Sequence, residues 1–452
     1  MKDNFFLREG VAQELYEDYA KHQPIIDYHN HISPFDIAGN RRYEDLTEIW
    51  LAPDPYKHRL MRIAGIEEKF ITGNASPKEK FRKFAEAFPY FVGNPVYDWA
   101  LMELERVFGI SDIPNADNAD YIFDRATEML RGSDLTCNAI LDKFAIEYQS
   151  PVAAITDDLS VYSASLAPSL RGDDLLSPTK DLVYALDAKS GVKIRDIDTY
   201  ISAVSSIMSG FSDAGCLFAD HALDDGFVFV NDFELGERAF VSLLNGKNLN
   251  ETEKNAVMSL ILTRLGAEYS RRGWNLLLHI DAKRKTSQRL ANIAGKAGGY
   301  AAVGGGFDIS SLCNALSSME NNGGLPKTVL FPLNMSDIPA ISVLEGSFSE
   351  DGVAAKVELG PAWWWCDHAL GIKNTLDSIS SFGVLSEFIG MTTDSRSILS
   401  FVRHDYFRRV LCSWLAEKYE SGVYKTDKKV LGEIVERISY KNAKRRIEVD
   451  KK

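Results

Sequence analysis

Short apolar and β-branched runs recur along the chain, each ending abruptly in polar or charged residues and followed by a stretch of helical periodicity. In order they are Pro24 to His31, Val152 to Asp157, Tyr162 to Ala167, Cys216 to His221, Asn275 to Ile280, Thr328 to Asn334, Lys356 to Trp363 and Phe388 to Asp394. A strand that is apolar on both faces must be covered on both, which is the condition of a parallel sheet flanked by helices. Eight such units predict an α/β protein of the closed (β/α)8, TIM-type class. The intervals are uneven: about 120 residues separate the first two runs, where a crossover needs only about a dozen. Within that gap Pro77 to Glu86 and Trp99 to Phe108 have helical periodicity, and Ser76 followed by Pro77 reads as an N-cap with proline in the first turn. The expected organisation is residues 1–35 as an N-terminal helix and first strand, 36–150 as a helical insertion between strands one and two, 151–398 as the rest of the barrel, and 399–452 as C-terminal helices.

Composition narrows the function classes. With 45% hydrophobic and 25% charged residues in 452, the chain is an ordinary folded protein rather than a disordered or fibrous one. Its 51 Lys and Arg against 64 Asp and Glu leave a net charge of −13. Such a surface repels nucleic acid and anionic membranes, so any anion must be bound in a local pocket. Cys137, Cys216, Cys313, Cys366 and Cys412 are odd in number and contain no C-x-x-C pair, as in a reduced compartment. MKDNFFLREG lacks a signal-peptide core and no run of about 18 apolar residues occurs, so we expect a complete cytoplasmic protein.

In a barrel of this kind chemistry sits at the carboxyl ends of the strands. The first run closes with Asp27-Tyr28-His29-Asn30-His31. Residues two apart on a strand face the same way, so His29 and His31 can offer two imidazoles to one metal ion. Alone, the pair fits hydrogen bonding at a loop mouth equally well. Closure brings the last run, ending at Asp394, beside the first, and two nitrogens plus a carboxylate with an open position suit a catalytic divalent ion, zinc first, manganese or iron otherwise. The alternative for Asp394 is an N-cap. Asp220-His221 closes the fourth run and His279, followed by Arg284, the fifth. Thr156-Asp157-Asp158, after the second, suits helix capping as readily as chemistry. Trp363, Trp364 and Trp365 cannot all face inward, so at least one walls a pocket. No lysine ends the fourth run and Asn334 ends the sixth, which favours one metal over two.

The segments PIIDYHNH, IWLAPDPYKHRLMRIAG, FITGNASPKEKF, GNPVYDWALMELERVFGI, ITDD, ADHALD, GAEYSRRGW, LLLHI, LPKTVLFPLN, WWWCD and GMTTDSRSILSFVRHDYFRRVL, in this order, resemble uronate (glucuronate) isomerases, a branch of the amidohydrolase superfamily. The resemblance covers almost the whole chain. It implies a metal-dependent (β/α)8 barrel that interconverts D-glucuronate with D-fructuronate and D-galacturonate with D-tagaturonate. It implies His29, His31 and Asp394 as ligands of one divalent ion, Zn2+ first, and Tyr56 and Arg171 as active-site residues. Asp220, His279, Arg284, Trp363 and Arg396 match further pocket positions. The implied reaction passes a proton through a cis-enediol: Asp394, or a group it activates, moves the carbon proton, and Tyr56 shuttles protons between the C1 and C2 oxygens. Arg171 and Arg396, then Arg284, are candidates for the substrate carboxylate. We expect a uronate as the small-molecule partner and a homo-oligomeric state. Two departures stand out: Asp281 replaces a glycine after His279-Ile280, and Gly172 replaces a proline after Arg171. The rival readings are a metal-dependent hydrolase of an acidic substrate and an inactive sugar-acid-binding protein.

Overall fold

The computed structural model describes residues 4–132, 134–295 and 297–448. Seven strands form one curled parallel sheet in chain order: β1 (Ile25–Asn30), β2 (Ile146–Ala154), β3 (Ser169–Arg171), β4 (Phe218–Leu223), β5 (Asn275–Ile280), β6 (Lys327–Pro332) and β7 (Val357–Leu359). β1 and β5 are buried along their whole length, as helix-covered parallel strands must be. The architecture is the TIM-type α/β fold read from the sequence, with differences in where strands begin and end.

Strand β2 starts at Ile146 instead of Val152, because its first residues pair with Ile25 and Ile26 at the base of β1. It stops at Ala154, whose N–H donates to the Asp157 carboxylate at 2.8 Å. Asp157 and Asp158 thus close a local turn and cap no helix. The third run, Tyr162 to Ala167, contributes only isolated bridges at Leu166; the ladder forms three residues later, with Arg171 in its last position. β6 ends at Pro332, before Asn334, and β7 ends at Leu359, well short of Trp363.

The eighth run, Phe388 to Asp394, holds its place in the circle without becoming a regular strand. Gly390 has φ +86°, and a Cβ there would lie 2.0 Å from the Ile438 carbonyl oxygen; Asp394 has φ +47°. Neither conformation continues a ladder. Two main-chain bonds, one of them His31 N–H to Ser395 O at 2.7 Å, and several side chains therefore complete the closure. His29 N–H donates to Thr392 Oγ1 at 2.9 Å, Asp394 N–H to His29 O at 3.1 Å, and Tyr28 Oη to Gly390 O at 2.9 Å. On the other side Ile389 N–H donates to Glu358 of β7 at 2.9 Å.

The central closure element is Asp27, fully buried on β1. Its carboxylate accepts from Thr392 Oγ1 at 2.9 Å, Thr393 N–H at 2.7 Å, Thr393 Oγ1 at 2.7 Å, Asn30 Nδ2 at 2.9 Å and His404 Nε2 at 3.2 Å. Burial alone would raise its pKa; His404 first, then Asn30 and Thr393, outweigh that and hold it below its ordinary value.

Between β1 and β2 the chain is helical, with Pro55–Ile63, Pro77–Ala87, Pro95–Phe108, Ala119–Arg131 and Cys137–Lys143 the main elements. Ser76 and Glu79 make the capping box expected of Ser76-Pro77. Asp54 caps Pro55–Ile63 by accepting Tyr56 N–H at 2.9 Å, and the buried Lys57 bridges Asp54 at 2.7 Å and Glu103 at 3.0 Å. That pair of contacts bolts the helix carrying Tyr56 to Pro95–Phe108. Among the described residues no helix is long and apolar enough to cross a membrane.

Asp27→Asn should lower stability by about 2 to 4 kcal/mol near neutral pH, since buried donors lose a charged acceptor. The folded pKa lies below the unfolded value of 3.8, so the wild-type advantage is complete above that pH and fades as the pH falls through the folded value. Denaturant unfolding of both proteins across that range checks this, and a gap that does not narrow in acid would contradict it.

Candidate active site

The end of β1 presents His29 and His31 on one side, their ring centroids 5.4 Å apart. Asp394 reaches both: Oδ1 lies 3.3 Å from His29 Nε2 and 3.0 Å from His31 Nε2. Its other oxygen accepts Trp363 Nε1 at 2.7 Å, which fixes the plane of the carboxylate. Asp394 caps no helix; the following turn, Ile398–Phe401, is capped by Ser397. Burial pushes the Asp394 pKa up, but the hydrogen bonds from His29 and His31 outweigh it and hold the group well below its usual range. Burial brings His31 down to about 4, so its ring is neutral at physiological pH, as a metal ligand requires.

Two groups of potential donors meet at His29: His29, His31 and Asp394, and His29, Asp220 and His279, with ligand atoms in each within 4.8 Å of one another. His29 Nδ1, His279 Nε2 and Asp220 Oδ1 are buried with no hydrogen-bond partner. Buried orphans of this kind are rare unless something else satisfies them. Imidazole and carboxylate donors fit one borderline divalent ion. His279 is packed between His29, Phe331 and Trp363 at ring distances of 4.7, 4.8 and 4.6 Å, and burial keeps its pKa well below the usual value. Burial also raises Asp220, with Asp173 and Asp394 adding to it against His29 and Arg171.

The arginines differ in freedom. Arg171 Nη1 is 3.4 Å from His31 Nε2, and Nη2 donates to Asp173 at 2.8 Å. Arg284 is held by Asp224 at 2.9 and 3.0 Å and lies over Trp364. Arg396 is solvent-exposed and makes no hydrogen bond or ion pair with the described residues. Partial desolvation lowers its pKa, with Arg171 and Arg284 adding to that and Asp394 opposing it. Trp363 and Trp364 both line the pocket beside His29, His279 and Asp394.

Tyr56 enters from the insertion. Its hydroxyl donates to Asp367 Oδ2 at 2.9 Å, and its ring meets Trp365 edge-on at 5.0 Å and Trp99 at 5.5 Å. Arg403, fully buried on the helix Val402–Glu420, lies over the Tyr56 ring at 4.6 Å. The sequence reading singled out neither Asp367 nor Arg403. An acid directly after three tryptophans was a usable signal for Asp367; a buried arginine in a helix beyond the barrel left none.

The glucuronate isomerase family model matches residues 1–446. The chain is 37% identical over 458 residues to the uronate isomerase of Oceanobacillus iheyensis, spanning 98% of this chain and 97% of that one. The solved uronate isomerase of Thermotoga maritima superposes with a TM-score of 0.91 at 27% identity over 99% of both chains. The glucuronate isomerase of Caulobacter crescentus gives 0.91 at 23%, over 100% of this chain and 98% of that one, and speaks to fold alone.

Both departures from the family pattern have structural counterparts. Asp281 sits at φ +66°, where glycine is the easy choice and aspartate one of the better tolerated alternatives. Its carboxylate accepts Gly306 N–H at 3.1 Å and its carbonyl accepts Gly304 N–H at 2.9 Å, so it fastens the loop after β5. Gly172 donates its N–H to Asp220 O at 2.8 Å, a bond proline could not make. A Cβ at Gly172 would lie 2.0 Å from His221 Cε1, so the imidazole fills the space a proline ring would need. Gly172→Ala should therefore destabilise by about 1 to 3 kcal/mol through overpacking. In a double-mutant cycle with His221→Ala the coupling should exceed about 1 kcal/mol; additive unfolding free energies would show that the imidazole is not what excludes a side chain.

Proposed function

The chain belongs to the glucuronate isomerase family and is a uronate isomerase, and we propose that it interconverts D-glucuronate with D-fructuronate and D-galacturonate with D-tagaturonate at the His29, His31 and Asp394 centre. One observation carries this reading: two imidazoles and a carboxylate oriented by Trp363 converge at the open end of the sheet, within a wall of tryptophans. His29, His31 and Asp394 would hold one divalent ion, zinc by the character of the donors, and that ion would supply a Lewis acid for substrate oxygens.

The remaining roles fall to the chain itself. Asp394 stays ionised at working pH and is the acceptor for the carbon-bound proton, or the group that activates that acceptor. Tyr56 moves protons between the C1 and C2 oxygens, since a phenol both donates and accepts. The neutral His279, with a free Nε2, and Asp220, with a free Oδ1, take sugar hydroxyls. Arg171 and Arg396 bind the uronate carboxylate, with Arg284 secondary because Asp224 already engages it. The tryptophans keep water from the enediol. In a chain of net charge −13, an anionic substrate depends on these few guanidinium groups. The same reading takes the enzyme as a cytoplasmic homo-oligomer, and the five unpaired cysteines fit that compartment.

Incubation with glucuronate and galacturonate should yield ketose of unchanged mass by mass spectrometry, and metal-stripped protein should recover turnover when Zn2+ is restored. A product heavier by one water would mark a hydrolase instead, and binding without conversion a sugar-acid receptor. Arg171→Met should lower kcat/KM by about 10- to 100-fold, the equivalent of one charged hydrogen bond. Metal content by elemental analysis should be unchanged; near-normal turnover at subsaturating uronate would remove Arg171 from the site.

A further inference from the structure

We propose that Asp367 is a positioning residue that works through Tyr56 as a two-member proton relay, holding the proton in transit between the C2 and C1 oxygens of the substrate. The proposal rests on the reading of Tyr56 as the group that moves those protons.

Hydrogen-bond direction is the first argument. A phenol has one hydrogen, and Tyr56 spends it on Asp367 Oδ2 at 2.9 Å. Its lone pairs therefore remain for a substrate hydroxyl, and Tyr56 meets that hydroxyl as an acceptor. To take up a proton it must release its own, and Oδ2 is the recipient already in place.

The second argument is the unused capacity of Asp367. Its Oδ1 is buried with no partner, and the residue lines the same pocket as His29, His279 and Asp394. A carboxylate kept only as a brace is saturated with donors, as Asp27 is. Asp367 has the Tyr56 hydroxyl and a long contact of 3.5 Å to Arg403 Nη1. Arg403 itself is divided among that contact, Thr393 O at 3.4 Å, and the faces of Tyr56 at 4.6 Å and Trp99 at 4.1 Å. It supplies a fixed positive charge beside both relay members without saturating either.

Electrostatics fit this geometry. The groups facing Asp367 are Tyr56 from the insertion helix, Arg403 and Tyr406 from the helix after the barrel, Asp394 from the closing segment, and Cys366 beside it in sequence. Burial raises Asp367 to about 7; Arg403 and the Tyr56 hydrogen bond pull it down and Asp394 pushes it up. A proton store works best with a pKa near the working pH. Burial, and then the Asp367 charge, put Tyr56 well above the usual phenol value, so Tyr56 does not stand as a phenolate. A hop through it, hydrogen in on one side and out on the other, avoids that state.

The step balances. When the C2 hydrogen leaves as a proton, its bonding pair becomes the C1–C2 double bond and the carbonyl pair settles on O1. The O2–H bond then breaks as a Tyr56 Oη–H bond forms, while the hydrogen Tyr56 already carried passes to Asp367 Oδ2. The same hop in reverse delivers a proton to O1. The pair left on O2 forms the new carbonyl, and the double-bond pair takes the carbon proton at C1. No proton or electron is gained or lost overall.

The test uses the metal-loaded enzyme and its Asp367→Asn and Tyr56→Phe variants, singly and combined. Asn keeps the shape and an acceptor for Tyr56 but stores no proton. Asp367→Asn should lower kcat by about 100-fold or more, with KM within about threefold and metal content unchanged. A protonated Asp367 cannot take up the proton that Tyr56 releases, so wild-type kcat should fall as the pH drops through about 7, and this acid limb should be missing in the variant. The double variant should be no slower than the worse single one, because the two residues act as a unit. Asp367→Asn with kcat within about threefold of wild type, or effects that multiply, would overturn the relay. Should Asp367→Asn not fold, Tyr56→Phe decides alone: loss of the acid limb supports the relay and its persistence overturns it. A fully active Tyr56→Phe would remove the Tyr56 reading itself, whereas an active Asp367→Asn beside an inactive Tyr56→Phe removes only the relay.

Discussion

One buried carboxylate, Asp27, ties the last barrel segment to the first strand, next to the residues that converge at His29. Strands held by regular main-chain ladders need no such device, but left-handed residues at Gly390 and Asp394 leave the closing segment with only two main-chain bonds to β1, Asp394 N–H to His29 O and His31 N–H to Ser395 O. Asp27 supplements those bonds by gathering both Thr392 and Thr393. Asp394 is the next residue along, and His29 lies two residues from Asp27 on the same strand. The distances from Asp394 to His29 and His31 therefore depend on this carboxylate together with the main-chain bonds from Asp394 to His29 and from His31 to Ser395. His404, from the helix beyond the barrel, completes the arrangement and keeps that charge ionised despite full burial.

The sequence made the circle of strands and the triad legible because both are local signals. An H-x-H pair on an apolar run states its own geometry, and alternation of strands with helices states the layer order. Ladder limits were less legible, since an apolar run does not say which of its residues will find a partner. Tyr162 to Ala167 looks more like a strand than Ser169 to Arg171, yet the short segment is the one that lies between β2 and β4. The irregular eighth strand was hidden for the opposite reason: Phe388-Ile389-Gly390-Met391 followed by two threonines reads like the other runs, and the backbone dihedrals at Gly390 and Asp394 show the break. Asp367 and Arg403 escaped because a buried charge is defined by partners far away in sequence. Tyr56 and Asp367 are 311 residues apart.

The two departures from the family pattern are local exchanges that leave the centre intact. At Gly172 a small residue makes room for His221, whose Nε2 pairs with Tyr269 behind β4 at 2.8 Å. At Asp281 a side chain takes a glycine's backbone conformation and secures the glycines at 304 and 306. The loop fastened there extends over the helix of Tyr56, where Arg59 donates to the carbonyls of Gly299 and Ala301, both at 3.4 Å, and Trp365 Nε1 donates to Ala301 O at 3.1 Å. Trp365 also borders Tyr56, so one loop touches the Tyr56 side of the pocket through the same residues that anchor it.

The closure by side chains also orders events during synthesis. Asp27 and Thr393 are 366 residues apart, and His404 follows later still. A chain emerging from the ribosome carries His29 and His31 early but lacks Asp394 and the clamp until almost nine-tenths of it has been made. Contacts of such long range form late and slowly. His29 and His31 therefore wait through most of synthesis without the carboxylate that later lies against both rings, and the pocket they line takes its geometry only once the helix carrying His404 has been made.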